Sequence, residues 1–158
     1  MSALTIERAR TVTDELRALV TELEDALSAE YTPEQRHGLK LEALFQPHIK
    51  FFIARADGRA VGCGGVALFS DFAEVKRMYV RNAARGQGVA QALLARIEAA
   101  AREAGLPMLR LETGNRQEAA MRLYTRAGFR RCDAFGAYAS IASAAIATSV
   151  FFEKPLAA

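Results

Sequence analysis

Residues 72–90 pass from one hydrophobic period to another without a break. Up to Val80 the pattern is that of a strand, on which Phe72, Glu74, Lys76, Met78 and Val80 share one face if the pleat is regular. From about 88 to 104, Ala90, Leu93, Leu94, Ile97, Ala101 and Ala104 recur at helical spacing, and Gly105 can end that helix. Between the two lies Arg81-Asn-Ala-Ala-Arg85-Gly86-Gln87-Gly88, a short turn of arginine and glycine. A strand that feeds directly into a long amphipathic helix buries the helix stripe against its own sheet, so the chain is committed to α/β layers.

The flanks carry the same alternation. Residues 4–10 alternate as a first strand, and Leu16, Leu19, Val20, Leu23 and Leu27 form a helical stripe with Thr13 as its N-cap. A second helix is expected to open at Thr32-Pro33-Glu34-Gln35, a capping box with proline at the first helical position, although Gly38 interrupts its pattern. Residues 50–55 and 60–69 are apolar and bracket Asp57-Gly58, which reads as a hairpin. Residues 107–113 form a further strand. Asn115 and Glu118 form a capping signature for a helix with Ala120, Leu123, Tyr124 and Ala127 on its buried face and Gly128 at its end. A strand near 129–134 and another over 148–153 flank residues 135–147, which fit a loop or a short helix equally well. The order β-α-α-β-β-β-α-β-α-β-β implies a mixed sheet with helices on both faces.

The chain has 158 residues without repeat or linker, so residues 1–158 are read as one domain. Hydrophobic residues are 51% and charged residues 25%, which excludes wholesale disorder. A net charge of +3 is too mild for a nucleic-acid binder but suits a local pocket for a small anion. Cys63 and Cys132 make no disulfide framework, and with only His37 and His48 beside them no metal site is expected. The N-terminus has no signal-peptide pattern and no run of about 18 apolar residues occurs, so a cytoplasmic protein without a membrane partner is expected.

The turn at 80–90 carries the chemistry. Glycines expose backbone N–H groups there, and the first turn of the following helix has N–H groups without internal partners. Such an end suits phosphate or pyrophosphate, and the Arg85 guanidinium adds a matching fork of donors. The loop is not a Walker A motif, because no Gly-Lys-Ser/Thr occurs. It is not a dinucleotide fingerprint either, because Gln91 stands where the third small residue belongs. Gly62-Cys63-Gly64-Gly65-Val66-Ala67 does fit GxGxxA, but it lies inside a strand pattern and reads as chance or as a bulge.

Arg85-x-x-Gly88-x-Ala90 matches the (Q/R)xxGx(G/A) signature of the GNAT superfamily of acyl-CoA N-acyltransferases. FAEVKRMYV resembles that family's fourth strand, GVAQALLARIEAAAREAG its pyrophosphate-binding helix, and AAMRLYTRAGF its helix ending in LYxxxGF. The resemblance covers residues 50–134 closely and the flanks in element order. It implies a mixed, mostly antiparallel sheet of about 6–7 strands with helices on both faces.

The resemblance also implies acetyl-CoA as co-substrate, no metal, and a primary amine as acceptor, joined in one ternary complex. Met78, Tyr79 and Val80 would pair with the pantetheine arm, and the Met78 amide would polarise the thioester. The pyrophosphate would rest on Arg85, Gly86, Gln87, Gly88, Val89 and Ala90. Tyr124 would protonate the departing thiolate and Glu74 would act as general base. The family's asparagine before the tyrosine is replaced by Gln117, with Asn115 two residues earlier, and both are candidate contacts to the coenzyme arm. Arg77 and Arg81 read as solvated strand-edge residues, and His37 and His48 as surface or satisfied histidines. Cys63 and Cys132 have no basic neighbour in sequence, so direct attack is expected over a ping-pong route. The acceptor side would be formed by about 28–48 and 134–148, with a small molecule favoured over a protein. A non-catalytic acyl-CoA sensor and a transferase of another acyl group are the alternatives, and the assembly is open between monomer and homodimer.

Overall fold

A computed structural model describes residues 3–156. Seven strands form one sheet: β1 (Leu4–Ala9), β2 (Ile49–Ala56), β3 (Arg59–Leu68), β4 (Ala73–Val80), β5 (Met108–Gly114), β6 (Arg130–Cys132) and β7 (Ser149–Pro155). Their order is β1-β2-β3-β4-β5-β7-β6, and each neighbouring pair is antiparallel except β4 and β5. Helix α1 (Asp14–Ser28) packs on one face, and α2 (Val89–Glu103) and α3 (Glu118–Arg126) pack on the other. This is the mixed, mostly antiparallel sheet covered on both faces that the pattern implies.

Local chemistry accounts for most boundaries. Asp57 and Gly58 both take positive φ, 51° and 82°, as the tight β2–β3 hairpin requires. Thr13 Oγ1 accepts the Leu16 N–H at 3.2 Å, capping α1, and Leu16, Leu19, Val20 and Leu23 are buried beneath it. In α2 the buried stripe is Val89, Leu93, Leu94, Ile97, Ala100 and Ala101, while Ala104 is the exposed C-cap.

Three expectations need correction. The helix expected at Thr32 is only a 3₁₀ turn, Pro33–Gln35. Gln35 does accept the Thr32 N–H at 2.9 Å, but the chain then extends at Arg36 so that the Leu39 carbonyl can accept from Arg77 Nε at 2.7 Å. Asn115 does not cap α3: its N–H is held by Thr148 O at 2.8 Å, continuing the β5–β7 ladder, and Gln117 takes the cap position without a side-chain bond. Of the expected α3 face only Tyr124 is buried, with Ala120, Leu123 and Ala127 half-buried against the same core. Residues 135–147, left open between loop and helix, hold two 3₁₀ turns, Gly136–Ser140 and Ser143–Ile146.

Candidate active site

The parallel pair β4–β5 is registered only at Ala73–Leu109 and Glu74–Arg110. Beyond that point β4 stays with β3 as far as Val80, and β5 stays with β7 as far as Gly114. The two strands therefore splay, and the β5-facing edge of β4 has no strand beside it. A cavity of about 140 Å³ occupies this notch, lined by Val75, Arg77 and Met78, by Leu111–Gly114, by Gln117, Ala120 and Tyr124 of α3, and by the α1 end with Tyr31 and residues 35–38. The volume is well below the roughly 300 Å³ needed to enclose a drug-sized ligand, so it fits a small reacting end and leaves a longer ligand along the strands.

A β-bulge aims β4 at the notch. Cys63 faces Tyr79 and Gly65 faces Lys76, so Arg77 and Met78 together oppose Gly64. Arg77 takes φ 55°, which absorbs the extra residue. Gly64 allows the crossing, because a Cβ there would come within 2.5 Å of Met78 Sδ. The GxGxxA match on β3 is thus a bulge partner.

The bulge also reverses the side-chain alternation, so Glu74 and Met78 do not share a face. Met78 and Val80 pack on the α2 side with Val75, whereas Tyr79 packs on the α1 side and its hydroxyl donates to Glu22 at 3.2 Å. Glu74 is 4% exposed and does not line the notch. Its Oε2 accepts the Tyr138 hydroxyl at 2.7 Å and pairs with Lys76 Nζ at 2.8 Å.

At the other end of β4, a 3₁₀ turn (Asn82–Ala84) leads to the loop before α2. Gly86 and Gly88 have φ 79° and 82°, and Gly88 caps α2 without a side chain. Arg85, Gly86 and Gln87 are exposed, and the first turn of α2 carries no acidic residue. Arg85 Nε donates to Val80 O at 3.2 Å, which folds the side chain back over the strand end. The N–H groups at the α2 start therefore face an open, uncrowded surface, as an anion cradle needs.

Tyr124 and Glu112 both line the notch. Tyr124 is 6% exposed and edge-on to Phe129, with centroids 5.7 Å apart. Burial, with Glu112's charge adding to it, holds the phenol well above its usual pKa, so it stays protonated. Glu112 accepts the Ser149 hydroxyl at 2.6 Å. Burial raises the Glu112 carboxyl; Ser149, His37 and Lys76 oppose that shift and Glu74 reinforces it. Reading the sequence missed Glu112. The alternation in LRLET was the available signal, since Leu109 and Leu111 face the α2 core and leave Arg110 and Glu112 on the opposite side.

The remaining candidates fall away from the chemistry. Gln117 lines the notch, while Asn115 is exposed and outside it. Arg77 and Arg81 are not free strand-edge residues: Arg77 is 6% exposed and bound to Glu24, and the partly exposed Arg81 pairs with Glu22 at 2.8 Å, so the two pin α1 to β4. His37 Nε2 bonds Ala145 O at 2.8 Å, and His48 packs on Phe69 at 5.7 Å. Cys63 is buried, its thiol donates to Arg77 O at 3.5 Å, and burial pushes its pKa up to about 12. Cys132 is pushed up to about 11, again by burial first. Neither thiol is poised as a nucleophile. Among the described residues no group of His, Cys, Asp and Glu is arranged to hold a metal ion, and no helix is long and apolar enough to cross a membrane.

The acetyltransferase (GNAT) family model matches residues 16–129. An IAA acetyltransferase of Azospirillum brasilense is 40% identical over 158 residues, covering 99% of this chain and 100% of that one. A solved structure from Klebsiella pneumoniae, assigned as an acyl-CoA N-acyltransferase, superposes with a TM-score of 0.82 at 36% identity, over 98% of both chains. The PaiA N-acetyltransferase of Thermoplasma acidophilum, solved in complex with coenzyme A, superposes with a TM-score of 0.68 over 96% of this chain and 99% of that one. At 17% identity this last likeness concerns the fold.

Proposed function

The chain belongs to the acetyltransferase (GNAT) family, and from that premise we propose that it moves an acetyl group from acetyl-CoA to the primary amine of a small molecule by direct attack. The observation that carries the reading is the notch itself. The unpaired edge of β4 runs from a cavity lined by Tyr124 and Glu112 to a glycine-capped helix start that follows Val80.

Each residue then has a task. The Arg85 N–H is taken by Asn82 O at 3.2 Å, so the N–H groups of residues 86–90 hold the pyrophosphate with the Arg85 side chain beside them, and the edge of Met78, Tyr79 and Val80 pairs with the pantetheine arm as an added strand would. The Met78 amide donates to the thioester carbonyl as negative charge grows on its oxygen. An amine of pKa about 10.4 enters mostly protonated, and Glu112 takes its proton directly or through one water. A carboxyl raised by burial is better matched to that proton than an ordinary one. Glu112 therefore takes the role that the family resemblance implies for Glu74, whose carboxylate is already held by Lys76 and Tyr138. Tyr124, kept neutral, hydrogen-bonds the departing sulfur and protonates it.

Calorimetry with coenzyme A, paired with thioester turnover on a panel of amines, tests this. Binding with turnover is the expected result. Binding without turnover on any amine would leave a non-catalytic acyl-CoA domain, and faster turnover with propionyl- or succinyl-CoA would change the acyl group.

A further inference from the structure

The acceptor side of the notch contains a loosely paired cation, Arg36. Arg77 and Arg36 both approach Glu24, but Arg77 holds it closely and also donates to Leu39 O. Arg36 Nη1 remains 3.9 Å from Glu24 Oε2, beyond hydrogen-bond reach. Among the described residues Arg36 Nε is buried without a hydrogen-bond partner, and the residue lines the cavity. A buried guanidinium N–H without an acceptor costs free energy, and a planar carboxylate is the group that a guanidinium fork fits best.

Glu112 lines the same small cavity, and Arg36 lies beside His37 in the segment that walls it. One wall thus offers a proton acceptor for an amine, and another offers a guanidinium with an unsatisfied Nε–H for an acid. A plain alkylamine would use the first and leave the second desolvated against hydrocarbon. Arg77 also lines the cavity, but its Nε and Nη2 already donate to Leu39 O and Glu24, which leaves Arg36 the less committed cation.

We infer that the acceptor is a small amino acid, with its amine facing Glu112 and its carboxylate seated on Arg36, an inference that rests on the transfer reading above. The ammonium group loses one proton to Glu112 and its nitrogen bonds the acetyl carbon. The carbon–sulfur bond breaks with its electron pair going to sulfur, which is protonated. The nitrogen releases its second proton as the amide forms. The products are the N-acetyl amino acid, the coenzyme thiol and one proton.

Steady-state kinetics on alanine and β-alanine against ethylamine, and on leucine against isopentylamine, test the inference. The native protein is expected to favour the amino acid within each pair by about 10- to 100-fold in kcat/KM, the range of a charge-assisted hydrogen bond, mainly through KM. Arg36→Gln is expected to collapse that ratio toward one, and Arg36→Lys to restore part of it. The aminophosphonate analogue of alanine separates a carboxylate requirement from any anion, and is expected to be the poorer acceptor. Equal use of amine and amino acid, or an Arg36→Gln ratio equal to the native one, overturns the inference and leaves the transfer reading standing. No turnover on either kind of acceptor overturns both.

Discussion

The Ser149 hydroxyl donates a 2.6 Å hydrogen bond to the Glu112 carboxylate, from the strand next to the one that carries it. That bond favours the ionised carboxylate, while burial, the larger effect, favours the neutral acid. If Glu112 accepts the acceptor's proton, the acid limb of kcat/KM lies above the ordinary glutamate value of about 4.3. Ser149→Ala removes an opposing influence and should move that limb further up. Glu112→Gln should lower kcat by about 10²- to 10⁴-fold. A pH–rate profile that is the same in all three proteins would remove Glu112 from the chemistry.

The same shift has a consequence for stability. A carboxyl whose pKa is higher folded than unfolded stabilises the fold most below its unfolded value, and that contribution is lost as pH rises through the folded value. Glu112→Gln keeps an acceptor for Ser149 without the charge. Its melting temperature should match the native protein near pH 4, exceed it increasingly as pH rises toward the native acid limb, and keep a constant margin above that limb. Parallel melting curves across pH would show a constant offset if the carboxyl were not strained by burial.

Tyr124 makes ring contacts with Phe129 and Phe152 that a phenylalanine can keep. Tyr124→Phe should therefore fold normally and bind coenzyme A with nearly native affinity. Its kcat should drop by about 10²-fold or more, the lower end for a lost acid. Single-turnover measurements would place the loss in the chemical step, and an unchanged rate would end the proposed role.

Gly88 and Gly105 bracket α2, with φ 82° and 74°. Neither has an atom close enough to obstruct a Cβ, so alanine at either adds conformational strain alone, about 1–3 kcal/mol. Only Gly88 lies in the proposed cradle. Gly88→Ala should lose both stability and coenzyme affinity, whereas Gly105→Ala should lose stability with native affinity. Equal affinities by calorimetry would place the pyrophosphate elsewhere.

Lys76 and Glu74 form an ion pair with side chains 13% and 5% exposed, and Tyr138 completes it from the turn before β7. Lys76→Met leaves a buried carboxylate without its cation and should cost about 3–5 kcal/mol in urea unfolding. Adding Glu74→Gln should recover much of that loss. An additive double mutant would mean that the pair is not coupled.

Elements with local causes were legible along the chain. The Thr13 cap, the Asp57-Gly58 hairpin, the α2 stripe and the glycine-capped loop all follow from side-chain period or from φ values that few residues tolerate. The family motif was legible there for the same reason, because its loop and helix are contiguous. Tertiary structure alone decided which groups meet. Glu74 and Met78 are four residues apart, yet one bulge residue opposite Gly64 puts them on different faces, and nothing in β4 alone announces it. Glu112 is twelve residues before Tyr124 and joins it only because β4 stops pairing with β5 after Glu74. Arg36 lost its expected helix to the Arg77–Leu39 bond, which draws its segment against the cavity. Registers and long-range hydrogen bonds are pairings between distant segments, and spacing along one segment cannot encode the other.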